Sequence, residues 1–128
     1  MPTYNKLVRD LIPEIITKCG KTPITETLSN EEYLIELDRK LNEECAEYQA
    51  DKSIEELADM LEVMYAIVKA RGYTIEDLES VRIEKAHKRG GFEEKIFLKE
   101  VKKPIFSGNL NLDNARLIVP IVNCLFGN

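Results

Sequence analysis

The run Ser53–Arg71, SIEELADMLEVMYAIVKAR, constrains the fold of this chain more than any other stretch. At about 100° per residue, Ile54, Leu57, Leu61, Met64, Tyr65 and Val68 line one apolar face of a helix. Met60, Val63, Ile67 and Ala70 line a second face, nearly opposite, and Glu55, Glu62 and Lys69 form the one clear solvent stripe. A helix that is apolar on two sides needs a neighbour on each. A helix of the same chain covers one face; a second subunit is expected to cover the other.

The helix before it, opened by Ser29 with Glu32 in a capping-box pattern, is expected to run to Tyr48 or Gln49. Leu34, Leu37, Leu41, Cys45 and Tyr48 share one arc, with Glu44 at its edge and Glu47 beyond it. A turn of five residues, Gln49 to Ser53, would fold the two helices back on each other. The carboxylate pairs Glu44/Glu47 and Glu56/Asp59 would then face a common space. Glu56 and Asp59 lie within the second apolar face, and buried carboxylates need a partner. A hard divalent cation satisfies several at once. The competing use of Glu56 is a capping box with Ser53, which needs no metal.

With 128 residues, the chain is long enough for a single core. Its net charge of −5 argues against general affinity for nucleic acid or an anionic membrane. Cys19, Cys45 and Cys124 are odd in number and lack CxxC spacing, which points to reduced thiols in a cytoplasmic setting. Cys45 reads as a small core residue. No secretory signal is visible, and the longest apolar run, Leu117–Val122, is too short to span a bilayer.

Along the chain, a short helix is expected from Val8 or Arg9 to Cys19, with Pro13 in its first turn and Gly20 ending it. Thr74 caps a third main helix that stops at Gly90-Gly91. Arg82, Lys85 and Arg89 share a side of it, either as cations stabilised by the helix C-terminus or as a row of groups facing a polyanion. His87, the sole histidine, reads as a surface residue, since zinc needs more nitrogen or sulfur ligands. Residues 93–103 read as a short strand or extended segment. Two parts result: residues 1–103 as the working domain, and residues 104–128 as a tail without an assigned role. The fold class is all-α, an antiparallel bundle of three main helices plus a short N-terminal one, completed by oligomerisation.

Glu43-Glu44-x-x-Glu47 followed by Glu56-x-x-Asp59 resembles the EExxE…ExxD signature of the MazG-like, all-α nucleotide pyrophosphohydrolases, which include phosphoribosyl-ATP pyrophosphohydrolase-like proteins. The flanks match one branch: Tyr4-Asn5-Lys6-Leu7-Val8-Arg9-Asp10 with Ile12-Pro13, Lys40-Leu41 before the acids, and Lys88-Arg89-Gly90-Gly91-Phe92. The similarity covers residues 3 to 100, and the tail lies outside it. Either acidic motif alone is weakly specific; the ordered set is strongly so.

The resemblance implies hydrolysis of a nucleoside triphosphate between the α and β phosphates, giving a monophosphate and pyrophosphate. Glu44, Glu47, Glu56 and Asp59 would bind magnesium, or manganese in its place, with Glu43 and Glu44 as catalytic carboxylates. Glu43 would be a further ligand or the base for water. Lys6, Arg9, Lys85, Lys88 and Arg89 are the phosphate candidates. A homodimer or homotetramer is implied. Oxygen ligands suit these cations, and nearby cations stabilise charge on a leaving pyrophosphate. Phosphoribosyl-ATP hydrolysis is the alternative substrate reading. A catalytically silent helical dimer that binds a nucleotide or metal is the alternative class. A di-iron bundle is disfavoured by the absence of any Glu-x-x-His pair.

Overall fold

A computed structural model of the chain describes residues 3–104. It holds four helices among them, α1 (Ile12–Lys18), α2 (Asn30–Asp51), α3 (Ile54–Ala70) and α4 (Ile75–Arg89), and no strand. The chain divides into two units, Met1–Gly91 and Phe92–Asn128. The described start of the second unit has a single turn, Lys95 N–H to the Phe92 carbonyl at 3.1 Å, and the strand considered for residues 93–103 is absent. The tail set apart at 104–128, with Cys124 and the Leu117–Val122 patch, lies beyond Pro104 outside the described residues.

Each main helix begins where its capping chemistry allows. The Glu32 N–H donates to Ser29 Oγ at 3.2 Å, and the Ser29 N–H donates back to Glu32 Oε1 at 3.4 Å, opening α2. Thr74 and Asp77 make the same reciprocal pair at the start of α4, at 3.1 and 2.9 Å. Gly20, at φ 83°, takes the left-handed turn that ends α1, as its place after the helix predicts.

Two boundaries differ from expectation. The N-terminal helix starts at Ile12 rather than Val8 or Arg9, with Pro13 in its first turn. Proline's fixed φ and missing N–H suit that turn alone, so residues 3–11 are left non-helical and free to reach elsewhere. The second correction is at the reversal between α2 and α3. Helix α2 continues to Asp51, and only Lys52 and Ser53 separate it from α3. Lys52 adopts a left-handed conformation, φ 59°, and its N–H closes on the Tyr48 carbonyl at 2.7 Å. Its ammonium bonds Gln49 Oε1 at 2.7 Å and lies 5.1 Å from the Tyr48 ring centre.

Helix α3 then returns alongside α2, and the Arg71 guanidinium beyond its end reaches Asp38 of α2 at 3.5 Å. Leu37 and Val63 are the buried apolar residues of the described chain. Around them the Leu34–Tyr48 arc and the Met60–Ala70 face are half-buried, as their periodicity predicts, Cys45 included. Glu55, Glu62 and Lys69 are exposed, again as predicted. Ile54, Leu57, Leu61 and Met64 of the other apolar face are exposed too, Ile54 at 75%. Helix α4 touches α3 and has no buried residue, and the α1 backbone makes no close approach to the other helices. No helix among the described residues is long and apolar enough to cross a membrane.

Candidate metal centre

The short reversal sets the last turns of α2 beside the first turns of α3, the two places where the acids lie. Glu44, Glu56 and Asp59 each offer a carboxylate oxygen within 4.8 Å of the other two. Glu44 is 6% exposed although its helical phase puts it at the edge of the apolar arc. Glu56 and Asp59 are half-buried.

Two oxygens of this group, Glu44 Oε2 and Glu56 Oε2, are buried without a hydrogen-bond partner. An unsatisfied buried charge is among the costlier features a fold can carry. The capping-box use of Glu56 does not account for it. Ser53 Oγ accepts from the Glu56 N–H at 3.4 Å, but the Glu56 carboxylate does not return to the Ser53 N–H.

The donor set is all oxygen, the ligand type that hard cations prefer. Opposite oxygens around magnesium stand about 4.2 Å apart and around calcium about 4.8 Å, given their usual bond lengths. The three oxygens, all within 4.8 Å of one another, are thus no farther apart than the span of one such coordination sphere. Glu44, Glu56 and Asp59 could hold such an ion.

Cations surround the acids. Lys40, one turn before them on α2, ion-pairs with Glu43 Oε2 and Glu44 Oε1, each at 3.3 Å. From the N-terminal segment, Lys6 Nζ donates to Glu43 Oε1 at 3.0 Å and Arg9 Nη2 to Asp59 Oδ1 at 2.6 Å. The Lys6 bond, aided by Lys40, holds the Glu43 carboxyl below the usual carboxylate range, and the same bond raises Lys6. Burial pushes Glu44 the other way, upward; the adjacent Glu47 carboxylate adds to this and Lys40 opposes it.

The remaining candidates fall in different places. Glu47 is exposed and stands outside the group of three, next to Glu44. Glu43 faces Lys6 and Lys40. Lys85, Lys88 and Arg89 lie exposed on the last turns of α4, where Lys88 pairs with Glu84 at 2.8 Å. None of the three is ion-paired to the carboxylates among the described residues. His87 is exposed, as expected. Lys40 belongs to the flank that precedes the acidic motif but not to the expected site residues, although its spacing to Glu43 and Glu44 puts all three on one helix face.

Beside the acids is a cavity of about 480 Å³. Arg9, Lys40, Glu44 and Asp59 line its polar part, and Tyr33 and Leu37 belong to its apolar wall. That volume is in the range of small-molecule sites.

No protein-family model matches the chain, and no solved structure matches it. An uncharacterized protein of Mycolicibacterium smegmatis is 56% identical over 45 residues, which are 35% of this chain and 46% of that protein. The chain thus matches about half the length of this relative, whose name states no activity.

Proposed function

We propose that the chain is a MazG-like nucleotide pyrophosphohydrolase that uses magnesium, or manganese, to split a nucleoside triphosphate between its α and β phosphates. The products are a nucleoside monophosphate and pyrophosphate. The observation that carries the reading is the meeting of Glu44, Glu56 and Asp59, with two buried carboxylate oxygens unpartnered, directly beside the cations Lys6, Arg9 and Lys40. Acids that hold a cation next to basic groups that meet phosphate are what this chemistry requires.

In this reading Glu44, Glu56 and Asp59 would hold the ion, with Glu47, exposed beside Glu44, as the further ligand the resemblance implies. When bound, the ion supplies charge neutralisation for the phosphates and acidifies a water ligand. Glu43 lies next to this group; its carboxylate orients the attacking water and takes the proton as the new P–O bond forms, although the pairing with Lys6 and Lys40 lowers its basicity. The water oxygen forms the new bond to phosphorus as the bridging P–O bond breaks. Arg9 and Lys6 meet the charge that develops on the pyrophosphate. The apolar wall of the cavity, with Tyr33 in it, excludes water from one side of the substrate.

The assembly belongs to the same proposal. An antiparallel bundle of α2, α3 and α4 leaves Ile54, Leu57, Leu61 and Met64 bare, and a second copy covers them in a cytoplasmic homodimer or homotetramer. The basic end of α4 would then serve a site only by way of that assembly.

The test is pyrophosphate release across canonical and modified ribo- and deoxynucleoside triphosphates and phosphoribosyl-ATP, with magnesium present. Release that stops on chelation supports the reading. Tight cation binding with no turnover of any substrate would replace it with a silent binding module.

A further inference from the structure

Lys40 is the one cation near the acids that comes from the same helix as Glu43 and Glu44. We propose that it is a positioning residue for the cation site, an inference that rests on the metal-centre reading above. Its ammonium stands 3.3 Å from Glu43 Oε2 and 3.3 Å from Glu44 Oε1. Most lysines paired at such helical spacing are solvated and contribute little. Lys40 differs in that its side chain is 17% exposed, while Lys6 and Arg9 are 44% and 57% exposed at the same acids.

The consequence is geometric. With Oε1 held by Lys40, the Glu44 carboxylate has one free oxygen, the buried and unpartnered Oε2, to give to a cation shared with Glu56 and Asp59. Partners of this kind orient metal-binding side chains and typically alter affinity 10–100-fold when removed. Lys40 also trims the local charge.

Charge and positioning make opposite predictions, which is what allows a clean test. If Lys40 acted through charge alone, removing it would tighten binding of a cation. If it positions Glu44, removing it weakens binding in spite of the lost repulsion.

The experiment is titration of the full chain with Mn²⁺ alone, free and bound ion being read by electron paramagnetic resonance. Wild type is compared with Glu44→Gln, Lys40→Gln, Lys40→Met and Lys40→Arg, each checked for folding by its thermal melt. The expected result is binding that depends on Glu44, weakened roughly tenfold or more in Lys40→Gln. Lys40→Arg, whose fork still spans both carboxylates, should stay within about threefold of wild type. Lys40→Met keeps the apolar stem, so it carries the expectation of Lys40→Gln should that variant not fold. Wild-type affinity or tighter binding in the folded Gln or Met variant overturns the role of Lys40 and leaves the metal centre standing. Absence of Glu44-dependent binding in wild type overturns both.

Discussion

Arg9 and Asp59 are 50 residues apart in sequence, and their guanidinium and carboxylate meet at 2.6 Å. One lies in the non-helical segment before α1, the other in the first turns of α3. The contact engages Oδ1 of a residue that also belongs to the group of three carboxylates, so Arg9 holds a position that a cation would contest.

Replacing Arg9 by Gln should therefore separate binding from turnover. The pair is more than a third exposed on both sides, so its loss should change stability by no more than about 1 kcal/mol. Affinity for Mn²⁺ should rise, because Asp59 is released. Turnover should fall roughly 10²-fold, because a phosphate-facing charge is lost. Titration of Mn²⁺ alongside kcat checks both, and an unchanged kcat would remove Arg9 from the phosphate site.

Glu56→Gln and Asp59→Asn should abolish turnover while leaving the helices intact. Each removes a charge from a crowded acidic group, so the metal-free Glu56→Gln protein should melt no lower than wild type, and Asp59→Asn, which also loses the Arg9 pair, should fall by no more than about 1 kcal/mol in stability. Glu55→Gln, on the exposed stripe one residue away, should leave activity and stability within about 0.5 kcal/mol of wild type. Circular dichroism melts and the pyrophosphate assay on the three variants provide the comparison. A large loss in Glu55→Gln would place the acids on the wrong side of α3.

Acid should stabilise the metal-free protein in one window. The Glu44 carboxyl is raised above its ordinary value of 4.5 by burial, so the folded chain takes up this proton more readily than the unfolded one. The stabilisation from protonating Glu44 is present below its folded pKa and fades as pH rises through it. Glu43, lowered by Lys6, has the opposite sign: its contribution is present above 4.5 and is lost as pH falls below that value. Melting temperatures of the wild type should thus rise as pH is brought down from neutral toward 4.5, and Glu44→Gln should flatten that rise. Saturating magnesium should flatten it too, by favouring the ionised form. A wild-type curve identical to that of Glu44→Gln would contradict the buried setting of Glu44.

Lys52→Gly should stabilise the chain. A non-glycine residue in the left-handed region costs about 1 kcal/mol, and the Lys52 contacts to Gln49 and Tyr48 are on an exposed side chain. The expected outcome is a melting temperature a few degrees higher, since 128 residues lie between the size ranges for which 1 kcal/mol shifts it about 4–8 °C and about 2–4 °C. A lower one would show that the Tyr48 and Gln49 contacts outweigh the backbone strain.

The same residue marks where local pattern stops being informative. Helical phase correctly placed Glu55, Glu62 and Lys69 on the surface and Val63 in the core, because side-chain periodicity along one helix is a local property. Ser29, Thr74 and Gly20 likewise announced helix ends through groups that act within a few residues. Lys52 carries no such signal. Its left-handed turn is what a glycine would be expected to make, so the reversal read as five residues rather than two. Burial of Glu44 was legible only as an edge position, since its depth, 6% exposed, depends on tertiary packing that one helix's periodicity does not encode. The reach of Lys6 and Arg9 across to Glu43 and Asp59 is a long-range contact that no periodicity encodes. Their membership in the motif was visible; their partners were not.

The most direct measurement is phosphorus NMR of a nucleoside triphosphate incubated with magnesium and either the wild-type chain or Asp59→Asn. The wild type should yield monophosphate and pyrophosphate, with no diphosphate intermediate, and Asp59→Asn should yield neither. Diphosphate with inorganic phosphate, or equal turnover by the two proteins, would contradict the proposed reaction.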